Sequence, residues 1–294
     1  GQEKEAATYR LAKMNLALRG ISHNLGPESD NTFTNDLHKG LYFDYIMANP
    51  PFNLKGWYND NLKNDSRWSD YDTPPIGNAN YAWILHILSH LNQQHGVAGF
   101  LLANGTLGDA DTINIRRKLI ENDKVEAIIV LPRELFTTDI SVTLWILNQN
   151  KKGGMWHGRK QRNREGEILF MDLRQWTENP VKGEQKKKVI LKEDQIKRAT
   201  EIYFKWQAEG TNGANYAEPE LYRSVKIKES DGIESNNFSL VPSRYIEFVD
   251  RDSNIDYNKV LTETASTVSD LLKRQKKNDE TLRNALKMLG YECE

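Results

Sequence analysis

The sequence predicts an α/β fold in which helices cover both faces of a mostly parallel β-sheet. Short apolar runs alternate with segments of helical periodicity, at the spacing of βαβ units. The runs are almost continuously apolar, which is typical of strands buried on both faces. Apolar residues make up 38% of the 294, enough to build a core and too many for a disordered chain.

The first elements in chain order are a helix, a strand and a long loop. Residues 4–20 are predicted to be helical, because Leu11, Met14 and Leu18 fall near helical spacing and Gly20 can end the helix. Residues 22–41 are polar and irregular. The apolar run at 43–48 predicts a buried strand that two prolines stop. The loop at 53–78 is long for a compact domain, and such loops are usually functional or disordered.

The remaining elements continue the alternation as far as residue 207. Helices are predicted at 78–94, 111–121 and 191–207, and strands at 97–103, 125–131, 142–148 and 167–171. Residues 153–165 are predicted to form an exposed hairpin or loop. From Ser266 the chain is predicted to be helical, with Val268, Leu272, Leu282, Leu286 and Leu289 at heptad positions. This tail packs either on its own domain or on another subunit.

A change in composition after residue 150 suggests three regions. Residues 151–210 hold 15 Lys and Arg against 9 Asp and Glu, whereas the whole chain has a net charge of −1. We therefore predict an α/β domain at 1–150, a basic extension and linker at 151–228, and a C-terminal region at 229–294.

Composition also excludes several classes of protein. The chain has one cysteine, Cys293, which rules out an intrachain disulfide framework or a cysteine-based zinc site. Its apolar runs are far shorter than the ~20 residues of a membrane span, and no signal peptide is visible. These features are typical of a soluble cytoplasmic protein.

The segment Asn49-Pro50-Pro51-Phe52 carries the clearest chemical pattern, because it directly follows the strand predicted at 43–48. Methyl transfer to the exocyclic amine of a base needs acceptors for the amine hydrogens, since positive charge develops on that nitrogen. The side-chain oxygen of Asn49 and the carbonyl of Pro50 can serve, held by the fixed φ of the two prolines. Phe52 offers a flat face for an extruded base.

The chain resembles the modification (M) subunit of Type I restriction–modification systems, a family of adenine-N6 DNA methyltransferases. The residues that carry the resemblance are Gly1–Glu3, Arg10–Leu16, Phe43–Asn53, Pro74–Trp83, Gly105, Arg116–Leu119, Val130–Pro132, Asn237–Leu240 and Ser243–Ile246. The resemblance is clear over about the first 150 residues and weaker after them.

The resemblance implies a Rossmann-like methyltransferase fold, S-adenosylmethionine as cofactor and DNA as substrate. It implies that Asn49, Pro50, Pro51 and Phe52 form the catalytic turn. It also implies that Glu3 ends a strand and binds the cofactor ribose, and that Asn31 stands where the family has an Asp near the cofactor adenine. Separate specificity and restriction subunits are the implied protein partners.

One family feature is absent from the sequence. The Gly-rich cofactor loop, Asp-x-x-x-Gly-x-Gly, should precede Glu3 and does not occur in the 294 residues. We therefore expect the sheet to lack its first strand and the chain to correspond to the C-terminal part of a longer protein. Two alternatives stay open: a methyltransferase with the same turn acting on protein glutamine or RNA, and an inactive truncated assembly module.

Two further groups of residues could bind a ligand but are expected to have structural roles. His86 and His90 could bind a metal, yet ordinary helix residues are expected and no metal is predicted. Asp109 and Asp111 are expected to cap a helix.

Aromatic and basic side chains supply two more weak signals. Four aromatic residues in the loop after Phe52 could touch DNA or pack the loop onto the domain, and packing is favoured: Trp57, Tyr58, Trp68 and Tyr71. Four basic residues could contact phosphates or form a solvated face, and the solvated face is favoured: Arg159, Lys160, Arg162 and Arg164.

Overall fold

The computed structural model describes residues 1–133, 135, 140–176, 190–210, 218–247 and 257–288. The chain divides into two compact units, residues 1–247 and 248–294. The first unit contains an α/β sheet, and the described part of the second, residues 257–288, is one long helix. The regions predicted at 1–150 and 151–228 contribute strands to the same sheet.

The elements of the first unit correspond to the predicted helices and strands, except that the strand at 222–226 was not predicted. Its helices are α1 (Ala6–Leu18), α2 (Asn80–Ser89), α3 (Ile113–Glu121) and α4 (Glu193–Glu209). Its strands are β1 (Tyr45–Ala48), β2 (Val97–Ala103), β3 (Val125–Val130), β4 (Val142–Asn148), β5 (Gly154–Trp156), β6 (Arg159–Gln161), β7 (Glu167–Asp172) and β8 (Tyr222–Lys226). Strands β5 and β6 form the hairpin expected after residue 153.

The main sheet has the strand order β1-β2-β4-β3-β7-β8. Strands β1 and β2 are parallel, as are β3 and β7, so most strands run in one direction and the α/β prediction is confirmed. Strand β4 runs antiparallel between β2 and β3, and β8 runs antiparallel to β7. The connection from β3 to β4 is too short for a crossover helix, which a parallel neighbour usually needs.

The core lies on both faces of this sheet, as the continuous apolar strands predicted. Strand β1 is the exception: it was predicted to be buried, but Tyr45 and Met47 are exposed because β1 lies at the edge of the sheet. Every residue of β3 is buried. On one face Phe100 and Trp145 pack with Leu85 of α2. On the other face Met171 packs with Trp206 of α4. Burial of each such large side chain contributes roughly 1.5–3 kcal/mol of transfer free energy.

The start of the chain differs from the prediction. Glu3 was expected to end a strand, but residues 1–3 form no β-ladder and α1 follows directly. The carbonyl of Glu3 instead accepts one hydrogen bond from the backbone of Asp30, at 2.9 Å. This single bond fixes the residue against the loop at 30–38 and cannot replace a ladder. Gly20 ends α1 with φ +63°, a conformation that glycine adopts without strain.

The second unit contains α5 (Tyr257–Met288), which confirms the helical tail. Val268, Leu272 and Leu282 are each about half exposed, at 48%, 59% and 60%. The side chain of Leu286 and all of Leu289 lie outside the described residues. Across the described ranges, no helix has the length and apolar character to cross a bilayer.

Candidate functional site

The Asn49–Phe52 turn lies at the carboxyl end of β1, where parallel α/β sheets commonly bind ligands. Ala48 is the last residue of β1 and pairs with Phe100 of β2. Asn49 is exposed, so its side-chain amide is accessible to a ligand. Pro50 is buried, so packing holds the backbone that follows Asn49. A cavity of about 440 Å³ borders both residues and also Gln2 and Thr32.

Phe52 is only partly buried and packs against the apolar cluster on the α4 face of the sheet. That cluster includes Leu131 and Val142, at the same end of the sheet as the turn. The Phe52 ring therefore packs against this apolar cluster and still keeps solvent-accessible surface. This is the arrangement that a stacking face for a planar group needs.

Asn53 fastens the end of the turn to the start of α2. Its backbone N–H donates to Oδ1 of Asn80 at 2.9 Å, and its own Oδ1 accepts from Nδ2 of Asn80 at 2.9 Å. Nδ2 of Asn78 donates to the same Asn53 oxygen at 3.1 Å. The carbonyl of Leu54 accepts from the N–H of Ala79, which adds a fourth bond. Sequence reasoning missed this network, because Asn53 and Asn80 are 27 residues apart and no local pattern joins them.

The loop after the turn is packed into the core by its tryptophans. Trp57 and Trp68 are 3% and 2% exposed. The indole N–H of Trp57 donates to the carbonyl of Pro75, and that of Trp68 donates to a backbone carbonyl of the same loop. Tyr58 and Tyr71 are partly buried against the same core. The packing interpretation of these aromatics is therefore confirmed.

Glu3 and Asn31 lie close together, because each forms a hydrogen bond with Asp30. The Asp30 N–H donates to the Glu3 carbonyl, and the Asn31 N–H donates to the Asp30 carboxylate. Hydrogen bonds from the Asn35 side chain and the Asn31 backbone lower the pKa of Asp30. The Glu3 carboxylate accepts from the backbone two residues later, and Asn31 Oδ1 accepts from the Phe33 N–H.

These residues fit part of an S-adenosylmethionine site. A carboxylate suits a ribose diol, and an amide edge suits adenine. Gln2 and Thr32, the neighbours of Glu3 and Asn31, line the cavity that reaches Asn49. The fit covers the nucleoside end of the cofactor, because the sequence has no Gly-rich loop for the amino-acid end.

The histidine pair has a third potential metal ligand, Asp36, which the sequence did not indicate. However, His90 Nδ1 faces the Leu41 carbonyl at 2.8 Å and Nε2 faces the Asp36 carboxylate at 2.9 Å. Each ring nitrogen of His90 therefore already has a partner within the protein. Nδ1 of His86 lies 3.2 Å from a guanidinium nitrogen of Arg67, which occupies its lone pair. This pattern favours the structural interpretation of the pair.

The basic run contains two arginines with structural partners. Arg162 pairs with Glu167 at 2.7 Å, and Arg164 is fully buried with Glu126 at 2.9 Å. These two arginines are therefore not available to phosphates, whereas the other two basic residues of the run, at 159 and 160, are exposed.

The acidic pair at the start of α3 has the expected role. The Asp109 carboxylate accepts from the Asp111 N–H at 3.1 Å. This hydrogen bond caps the short helical turn that precedes α3, so the capping prediction is confirmed for Asp109, whereas Asp111 contributes only its backbone N–H.

The chain is similar to known proteins over most of its length. The N-6 DNA Methylase family matches residues 1–254. The chain is 34% identical to the Type I restriction enzyme HindI methylase subunit of Haemophilus influenzae, covering 99% of this chain and 62% of that protein. It is 30% identical to the MjaIX methylase subunit of Methanocaldococcus jannaschii, covering 99% and 50%. The chain thus spans half to two thirds of the length of these relatives.

A solved structure has a similar fold. The crystal structure of the type I restriction-modification system methyltransferase subunit from Streptococcus thermophilus superposes with a TM-score of 0.67 and 25% identity. The match covers 85% of this chain and 48% of that one.

Proposed function

Since the chain belongs to the N-6 DNA methylase family, we propose that it carries the catalytic turn of a Type I methylase subunit, which methylates adenine N6 in DNA. The observation that carries this proposal is the rigid, accessible Asn49–Phe52 turn at the carboxyl end of β1. The names of the relatives favour DNA over protein glutamine or RNA.

The turn supplies two acceptors and a stacking face. The Asn49 side-chain oxygen and the Pro50 carbonyl accept hydrogen bonds from the two N–H groups of the target amine. These bonds draw the nitrogen lone pair out of conjugation with the ring. They stabilise the positive charge that develops on nitrogen, so they act more strongly in the transition state than in the ground state. Phe52 holds the extruded base by stacking.

S-adenosylmethionine supplies the electrophilic methyl group when bound. We propose that Glu3 binds its ribose and Asn31 its adenine. Both residues contribute to binding and orientation only, and neither exchanges a proton with the substrate.

The partners belong to the same proposal. We propose that a specificity subunit selects the DNA sequence and that a restriction subunit performs cleavage. The half-exposed apolar residues of α5 provide a face on which the specificity subunit docks.

The test is the Asn49→Ala substitution in the assembled methylase, with transfer of labelled methyl groups to unmethylated chromosomal DNA as readout. We expect the rate to fall by roughly 10²–10³, as for the loss of one preorganised hydrogen-bonding group. Cofactor affinity should stay unchanged, because Asn49 contacts the base. Asn61→Ala, at an exposed asparagine of the following loop, is the matched control. Normal turnover in Asn49→Ala would reject the proposal.

A further inference from the structure

The reciprocal amide pair between Asn53 and Asn80 has the geometry of an alignment device for the turn. We propose that Asn80 is a positioning residue, which sets the direction of the Asn49 and Pro50 acceptors through Asn53. The inference rests on the proposed function and adds a residue that lies outside the catalytic turn.

The pair is specific in its geometry. Asn80 both accepts from the Asn53 backbone and donates to the Asn53 side chain, each at 2.9 Å. Two bonds between the same two residues fix an orientation as well as a distance. Asn80 is 4% exposed, so water competes poorly for either bond.

The bonds also hold Asn53 in an unusual backbone conformation. Its φ is +53°, a left-handed value that asparagine tolerates better than most residues. Only Pro51 and Phe52 separate Asn53 from the Pro50 carbonyl. Because Pro51 has a fixed φ, fewer free dihedrals lie between Asn53 and that carbonyl, so a shift at Asn53 is passed on to it more directly.

Helix α2 can fix the position of Asn80, because the helix itself is held by packing. Most of its residues are buried in the core. Tyr81, next to Asn80, donates its hydroxyl to the Thr106 carbonyl at 2.8 Å, in the segment that follows β2. The start of α2 therefore ties the turn after β1 to the loop after β2.

The test compares three single variants of the assembled methylase and the double variant Asn53→Gly with Asn80→Leu. Asn80→Leu keeps the side-chain size and removes both bonds. Asn53→Gly keeps the positive φ and removes the side-chain acceptor. Asn53→Asp retains an acceptor for Asn80 and Asn78 and tolerates the same φ. Turnover per folded enzyme, KM for DNA and cofactor affinity are measured for each, with Asn61→Ala as a control in the same loop.

We expect Asn80→Leu to lower kcat roughly 10- to 100-fold, the scale of a misplaced reacting group, with little change in KM. Asn53→Gly should lower kcat as well, and the double variant should be no worse than the worse single variant. Asn53→Asp should retain most of kcat. These four results together support alignment through the pair.

Two outcomes distinguish a failure of the positioning inference from a failure of the proposed function. If Asn49→Ala abolishes methylation while Asn80→Leu retains normal kcat, the positioning inference is wrong and the proposed function stands. If Asn49→Ala is active, the proposed function itself fails. Multiplicative losses in the double variant would also overturn the inference, because independent effects do not pass through one pair.

Discussion

At the scale of single residues, His86 shows how burial determines a protonation state. Burial lowers the pKa of His86 to about 3, and the charges of His90 and Arg67 act in the same direction. The carboxylates of Asp36 and Asp65 oppose this shift. The ring is therefore neutral in the folded protein near pH 7.

This shift predicts a pH dependence of stability. Below the ordinary histidine pKa of 6.5 and down to about pH 3, the unfolded chain protonates His86 and the folded chain does not. The free energy of unfolding therefore falls as the pH falls through this window, by at most roughly 1.4 kcal/mol per pH unit from this residue. In urea unfolding, the free energy of unfolding of His86→Gln should change less with pH than that of the wild type.

An exposed histidine provides the control for this measurement. His23→Gln should leave the pH slope of the free energy of unfolding unchanged, because that ring is exposed to solvent. Equal slopes in the His86 and His23 variants would contradict the prediction.

At the scale of elements, one buried carboxylate connects both α4 and the residues that follow the β5–β6 hairpin to the sheet. Glu126 of β3 is fully buried and pairs with Arg164, which is also fully buried. It also accepts from the Asn148 side chain and from Tyr203 and Gln207 of α4. Burial, followed by the charge of Glu126, raises the pKa of Tyr203 well above its usual value.

Removing this carboxylate should cost much more than removing an exposed one. Glu126→Gln leaves the Arg164 charge buried without a counter-ion, so we expect a loss of roughly 3–5 kcal/mol in urea unfolding. Glu229→Gln breaks the exposed pair with Lys226, which solvent screens, so its effect on the free energy of unfolding should be far smaller. Similar losses in both variants would show that Glu126 is not the fastening group.

The exposed face of α5 gives a second prediction at this scale. Leu272→Lys with Leu282→Lys should abolish binding of the specificity subunit in size-exclusion chromatography, because two charges would enter an apolar seam. Thr267→Lys with Thr281→Lys adds the same charge at non-leucine positions of the helix. An intact complex in the leucine variant would contradict the docking role.

Local sequence patterns predicted the elements well and their partners poorly. The bounds of β2 and β4 match the prediction, because dense apolar runs mark buried strands. The pairing of Arg164 with Glu126 joins residues far apart in sequence, so no local pattern could show it. The turn at Asn49 was recognisable from sequence, whereas its anchor at Asn80 required the fold.

At the scale of the whole molecule, β1 pairs with β2 alone among the strands of the described ranges. Met47 of β1 is 91% exposed and Tyr45 is 56% exposed. Unpaired strand edges usually require cover. The cavity that these two residues border also reaches the immediate neighbours of Glu3 and Asn31, so the proposed cofactor contacts belong to the same open side of the sheet.

A binding measurement tests this partial site. We expect a polypeptide of these 294 residues to show no saturable S-adenosylmethionine binding in calorimetry, because it has no Gly-rich turn for the amino-acid end of the cofactor. The same residues within a chain as long as the relatives should bind. Micromolar binding by the 294-residue polypeptide would contradict this account.

The sheet register also determines which strands can meet early during folding. Val130 pairs with Thr143 across a short connection, whereas Tyr45 pairs with Val97 across the long loop and all of α2. Loop closure costs more entropy over the longer separation, so β3 and β4 can associate before β1 does. We therefore expect the segment that bears the proposed chemistry to join the sheet after β3 and β4 have paired.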